Sequence, residues 1–156
     1  MDLGLKGRKA LITGGSKGIG KAIAFELAGE GASIAICARG DDELQSTARG
    51  LRDKTAVEVF AEVADVTDAS SVASFVQGAA KALDGLDILV NNAGSALPGT
   101  FEEVDEDRWK ADLEVKLFAA MKCVKAALPY LKASDQARIV NINSIVGRQI
   151  APEYVA

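Results

Sequence analysis

Histidine is absent from the 156 residues of this chain, and cysteine occurs twice, at Cys37 and Cys123. Without histidine or paired cysteines, the usual ligand sets for structural zinc and for haem are missing. Each cysteine sits in an apolar segment, which reads as two buried thiols in a reducing compartment rather than a disulfide. A basic excess is also missing: 18 Lys and Arg stand against 22 Asp and Glu, a formal net charge of −4. That argues against nucleic acid or a membrane surface as the main partner. No apolar run approaches a membrane span, because the longest uncharged stretches carry glycine or asparagine. The opening Met1-Asp2-Leu3-Gly4-Leu5-Lys6-Gly7 lacks the basic-then-apolar shape of a signal peptide. These absences point to a cytoplasmic protein. No internal repeat, low-complexity tract or interdomain linker interrupts the chain.

What is present is 49% apolar and 26% charged residues, the balance of one soluble α/β domain over residues 1–156. Five apolar runs read as strands: Lys9 to Thr13, Ser33 to Ala38, Ala56 to Ala64, Leu86 to Asn91 and Arg138 to Asn143. Most are short and continuous, as in strands buried on both faces of a parallel sheet. The third alternates, with Val57, Val59, Ala61 and Val63 against Glu58, Phe60 and Glu62, which suits an edge strand. Helical patterns fill the gaps. Ile19, Ile23 and Leu27 recur every fourth residue, and Gly29 and Gly31 close that helix. Asp41-Asp42-Glu43 opens a second helix with favourable acidic residues. Thr67 or Asp68 caps a third, whose apolar face is Val72, Phe75, Val76, Ala79 and Leu83. The longest starts near Asp105 and carries Trp109, Leu113, Leu117, Met121, Val124 and Leu128 on one stripe, expected to face the core. Strands alternating with helices imply βαβ units and right-handed crossovers.

Five places carry chemistry. Thr13-Gly14-Gly15-Ser16-Lys17-Gly18-Ile19-Gly20 follows the first strand and opens a helix. Such a turn offers unpaired N–H groups and the positive end of a helix dipole to an anion, and its glycines permit close approach. Without a ligand it is simply a tight strand–helix turn. Arg39 ends the second strand, where dinucleotide folds reach the adenosine ribose; with Lys17 it favours a 2′-phosphate. Asp65, before Val66, could meet an adenine amino group or equally cap the next helix. Asn91-Asn92-Ala93-Gly94 ends the fourth strand, where it could satisfy backbone groups in a turn. Ser144 ends the fifth strand, on the side where ligands of open α/β sheets bind.

Together these motifs resemble the short-chain dehydrogenase/reductase family, and within it the NADP-dependent branch that includes 3-oxoacyl-[acyl-carrier-protein] reductases. The resemblance runs from about Leu5 to the last residue, with four motifs in order: Thr13 to Gly20, Asp65-Val66, Asn91 to Gly94, and Asn141-Ile142-Asn143-Ser144. It implies a Rossmann-type three-layer sandwich with parallel strand order 3-2-1-4-5. It implies NADP(H) as cofactor, held by Gly14, Ser16, Lys17, Gly18, Ile19 and Gly20 at the pyrophosphate and ribose, and by Arg39 at the 2′-phosphate. Asp65 and Val66 would flank adenine, and Asn92, Ala93 and Gly94 would line the cofactor, while Asn91 ties the sheet together. Ser144 would bond the oxygen of a small carbonyl or alcohol substrate, and the protein would be a homo-oligomer, a dimer or tetramer.

Two departures accompany the resemblance. Where the family usually has an asparagine that holds a water and bends the long helix, the chain has Glu114. The family's proton-donating tyrosine follows the serine by about thirteen residues, with a lysine one turn later. That position lies past Ala156, and Tyr154 arrives too early to take it. Such domains run to roughly 250 residues, so the resemblance implies a longer chain whose later strands and helices are absent here. Three readings follow: an NADP(H)-dependent carbonyl reductase, a dinucleotide-binding module without catalysis, or an interaction fragment that pairs through the long helix.

Overall fold

The computed structural model describes residues 3–96 and 98–144. Their short apolar runs form β1 (Lys9–Thr13), β2 (Ser33–Ala38), β3 (Val59–Val63), β4 (Ile88–Asn91) and β5 (Arg138–Asn141). All pair in parallel in the order β3-β2-β1-β4-β5. Between them lie α1 (Gly18–Gly29), α2 (Asp41–Lys54), α3 (Ala69–Leu83), and a long helix of two parts. The parts are α4 (Glu106–Leu113) and α5 (Ala119–Ala133), joined by a π-turn at Glu114–Phe118. Among the described residues no helix is long and apolar enough to cross a membrane.

Strand side chains alternate between two cores. Ala10, Ile12, Ile34, Ile36, Ile88 and Val90 pack with Ala24 and Ala28 of α1 and Leu44, Ala48 and Leu51 of α2. Leu11, Ala35, Cys37 and Leu89 face the other way, onto Val72, Phe75, Val76, Ala79 and Leu83 of α3 and Cys123, Ala127 and Leu131 of α5. This is the expected three-layer sandwich. The outer strand β3 is half-buried, and its Phe60 stacks on Phe75 with ring centroids 6.2 Å apart. The opposite outer strand, β5, is exposed along its length. Both thiols are buried, and loss of hydration pushes Cys37 up to about 12 and Cys123 to about 11.

Local signals set the helix starts. The acidic first turn of α2 stands opposite Arg52 and Lys54 in its last, as the helix dipole favours. Asp68, rather than Thr67, caps α3 by accepting the Ser70 N–H at 2.8 Å.

Two apolar stripes read from sequence are displaced. In α1 the buried positions are Gly20, Ala24 and Ala28, while Ile19 is 63% exposed. Small residues on that face let the helix axis approach the sheet, so the larger Ile23 and Leu27 sit at its margins. The long helix differs more. Ala119, Cys123, Ala127 and Leu131 face the core, whereas Leu113, Leu117, Met121 and Leu128 are exposed. The buried set is offset by two positions from Met121, which is about half a turn and therefore the opposite face. The small side chains again mark the packed side, against α3.

We expect Ile19→Ala to change the unfolding free energy in urea by no more than about 0.5 kcal/mol. Ala24→Leu, which adds volume to a site with no exposure, should cost about 1–3 kcal/mol.

Candidate functional site

Because every strand is parallel, Thr13, Arg39, Asp65, Asn92 and Ser144 all lie at or just beyond the carboxyl edge of the sheet. The chain order reverses direction at β1, which has β2 on one side and β4 on the other. That reversal leaves a crevice beyond the ends of β1 and β4.

The Thr13 hydroxyl accepts the backbone N–H groups of Asn92 and Ala93, each at 3.0 Å. In the other direction, Asn92 Nδ2 donates to the carbonyls of Thr13 and Gly14 at 3.0 and 3.1 Å. These four bonds hold the glycine turn against the end of β4. Thr47, buried in α2, adds a bond from its hydroxyl to the Ser16 carbonyl at 2.7 Å, and Gly15 N–H donates to the Cys37 carbonyl.

The turn requires its glycines. Gly14 and Gly18 have φ of +67° and +56°, in the left-handed region that side chains disfavour. A Cβ on Gly20 would lie 2.3 Å from the Gly14 carbonyl oxygen and 2.4 Å from Asn92 Nδ2. A Cβ on Gly18 would project into open space, so the outer side of the turn is an open cradle, and Gly18 is set by its φ rather than by crowding. Lys17, the residue before α1, makes no side-chain cap bond to it, and the positive end of the α1 dipole lies at Gly18, Ile19 and Gly20, beside that cradle.

The other expected residues fall around this turn with different degrees of commitment. Arg39 is exposed just past β2. Lys17 is exposed and lies 3.4 Å from Glu43 of α2, a screened pair that leaves the ammonium available to a stronger anion. Ser16 is buried. Asp65 turns back on its own loop, where Oδ1 accepts the N–H and hydroxyl of Thr67 at 2.9 and 2.8 Å. These bonds, with Arg39 nearby, hold its carboxyl below the ordinary range despite partial burial. Val66 is buried, with its side chain in the core that α3 covers. Asn92 and Ala93 are half-buried and Gly94 is exposed. Asn91 instead donates from Nδ2 to Asn141 Oδ1 at 2.8 Å, tying β4 to β5 as expected. Ser144 is exposed beyond β5, and Tyr154 lies outside the described residues.

At Glu114, where the family usually has an asparagine, the long helix carries its π-turn, and the carboxylate is engaged by the Lys122 ammonium. Sequence reasoning also passed over Thr47 and Lys122. Neither stands in a motif, and each acts by reaching the backbone of a distant loop.

An open parallel sheet with a glycine turn at its point of reversal defines a Rossmann-type dinucleotide-binding fold. The short chain dehydrogenase family model matches residues 8–156, and the chain belongs to that family. It is 31% identical over 146 residues to an uncharacterized oxidoreductase of Staphylococcus saprophyticus, covering 94% of this chain and 62% of the relative. It is 32% identical to the 3-oxoacyl-[acyl-carrier-protein] reductase of Staphylococcus aureus, covering 90% of this chain and 57% of that reductase. Among solved structures, L-sorbose reductase from Gluconobacter frateurii, complexed with NADPH and L-sorbose, superposes with a TM-score of 0.95 at 35% identity. That match covers 99% of this chain and 59% of the reductase. An NADPH-bound short chain oxidoreductase of Pseudomonas aeruginosa, described as containing an atypical catalytic center, gives a TM-score of 0.92 at 38% identity. It covers 95% of this chain and 58% of the other. The chain thus spans about three fifths of the length of these relatives.

The depressed Asp65 carboxyl links the loop to pH. A folded pKa below the unfolded value, about 3.9, gives stability that is present above that value and lost as pH falls through the folded pKa. We expect Asp65→Asn to flatten the acid limb of the stability curve, measured by urea unfolding between about pH 6 and pH 2. An unchanged slope below about pH 4 would show that the Thr67 bonds do not favour the ionised form.

Proposed function

We propose that this chain is the cofactor-binding portion of an NADP(H)-dependent oxidoreductase acting on a small carbonyl or alcohol substrate. The observation that carries this reading is the cleared cradle at Gly14–Gly20, clasped to the end of β4 by Thr13 and Asn92. A pyrophosphate suits that place, because it is anionic, needs close backbone approach and gains from the α1 dipole. Gly14, Ser16, Lys17, Gly18, Ile19 and Gly20 would hold it. Asn92, Ala93 and Gly94 would line the next part of the dinucleotide, and Asp65 with the Val66 backbone would border adenine. When bound, the nicotinamide supplies the hydride chemistry. Ser144, at the same sheet edge, would donate to the substrate oxygen as negative charge develops there.

Arg39 supports the phosphorylated cofactor. It is exposed beyond β2, with Lys17 on the neighbouring turn, and no acidic residue stands at the strand end itself. The acidic start of α2 follows two residues later, so the preference rests on the two cations outweighing it locally. Fluorescence titration should show NADPH binding about tenfold more tightly than NADH, the scale of one charge-assisted hydrogen bond on an exposed surface. Arg39→Asp should abolish that preference. Tighter NADH binding, or an unchanged preference in the variant, would overturn the assignment.

The exposed face of the long helix supports a homo-oligomer. Leu113, Leu117, Phe118, Met121 and Leu128 are each at least 39% exposed, an apolar surface suited to a self-complementary contact. Light scattering should find a dimer or tetramer, and Met121→Asp should shift it toward monomer. A wild-type monomer would contradict this. The unbridged buried thiols accord with a reducing, cytoplasmic setting.

A further inference from the structure

The loop between β3 and α3 shares a core with the long helix through Ala64 and Val66, and one ammonium ties its polar side to that helix. Lys122, in the first turn of α5, donates from Nζ to the Thr67 carbonyl at 2.7 Å and is ion-paired with Glu114. Thr67 in turn gives its N–H and hydroxyl to Asp65. A continuous chain of contacts therefore runs from Glu114 through Lys122 and Thr67 to Asp65. Asp68, the α3 cap, also faces this ammonium.

The π-turn makes this arrangement possible. Glu114 and Lys122 are eight residues apart, which in a regular α-helix leaves the second side chain about 80° out of line with the first. The π-turn at Glu114–Phe118 absorbs one residue. The remaining seven complete about two turns, bringing both side chains onto one face. The pair is partly solvated, with side chains 28% and 38% exposed, so it adds little to global stability. Its consequence is positional: two donors on one ammonium fix where the Thr67 carbonyl, and with it the Asp65 turn, sits relative to α5.

We propose that Lys122 is a positioning residue for the adenosine half of the dinucleotide, with Glu114 orienting its ammonium and the Thr67 carbonyl transmitting the position to Asp65. This rests on the reading that the Asp65 turn borders adenine. The test compares NADPH and 2′,5′-ADP, an adenosine-side fragment, by calorimetry on the 156-residue chain. Lys122→Met should weaken both ligands about five- to tenfold, the scale of one net hydrogen bond. Lys122→Arg should restore both to within about twofold, because it keeps a charged donor. In the ligand-free Met variant, amide exchange at Thr67 and Asp68 should accelerate while the urea midpoint barely moves. Should the Met variant fail to fold, Glu114→Gln carries the test and should weaken both ligands two- to threefold, about what a loosened but retained donor costs. Wild-type binding with unchanged affinity in the folded variants overturns this proposal alone. A wild-type chain that binds neither ligand overturns the cofactor site and this proposal with it.

Discussion

The site depends on the reciprocal clasp between Thr13 and Asn92 at the point where the sheet reverses direction. Strands β1 and β4 are far apart in sequence, and their ladder, which ends with Ile12 beside Val90, leaves open how the turns beyond it lie against each other. The Thr13 hydroxyl and the Asn92 carboxamide settle that with four bonds between them. Once they form, the glycine turn has one position, and its crowded glycines follow from that position. Gly20 has to be glycine because the Gly14 carbonyl and the Asn92 amide already occupy the space a side chain needs. The clasp also uses up polar groups that would otherwise compete for a ligand, leaving the α1 dipole end facing the cradle.

The two layers flanking the sheet are built differently. On one side α1 and α2 bring mostly alanine and leucine against the β-branched strand residues. On the other, α3 brings Phe75 and Val76, and α5 brings Cys123, Ala127 and Leu131. The long helix is therefore bound to the domain through its small residues, and its large apolar residues are left outward. That distribution is wasteful for an isolated domain, and it makes chemical sense if another surface covers them.

Most of the fold was legible in sequence because strand and helix periods differ and the glycine and acidic punctuation falls between them. Five strands, their parallel order and the edge position of β3 follow from that alternation together with the family resemblance. The strand ends were less legible. β3 begins at Val59 rather than Ala56, and β4 at Ile88 rather than Leu86; just before β4, the Asp87 carboxylate accepts the Lys9 N–H, a side-chain contact that apolar patterning does not reveal. Which face of α1 and of the long helix is buried could not be read from hydrophobicity. In both helices close packing selects alanine, glycine and cysteine, while larger residues are pushed to the margin or to solvent. In the site, the glycines and Asn92 were visible as a pattern, whereas Thr47 and Lys122 act through backbone carbonyls of remote loops and leave no local signal.

On the proposed function, the clasped glycine turn is an NADP(H) cradle whose footprint runs along the carboxyl edge of β1, β2, β3 and β4. An amide-shift titration of the chain with NADPH by NMR tests it most directly. The account predicts the largest shifts at Gly14, Ser16, Lys17, Gly18, Ile19 and Gly20, with further shifts at Arg39, Asp65 and Asn92 to Gly94, and none on the outward face of α5. Saturable shifts centred elsewhere, with Gly14 to Gly20 unmoved, would contradict it.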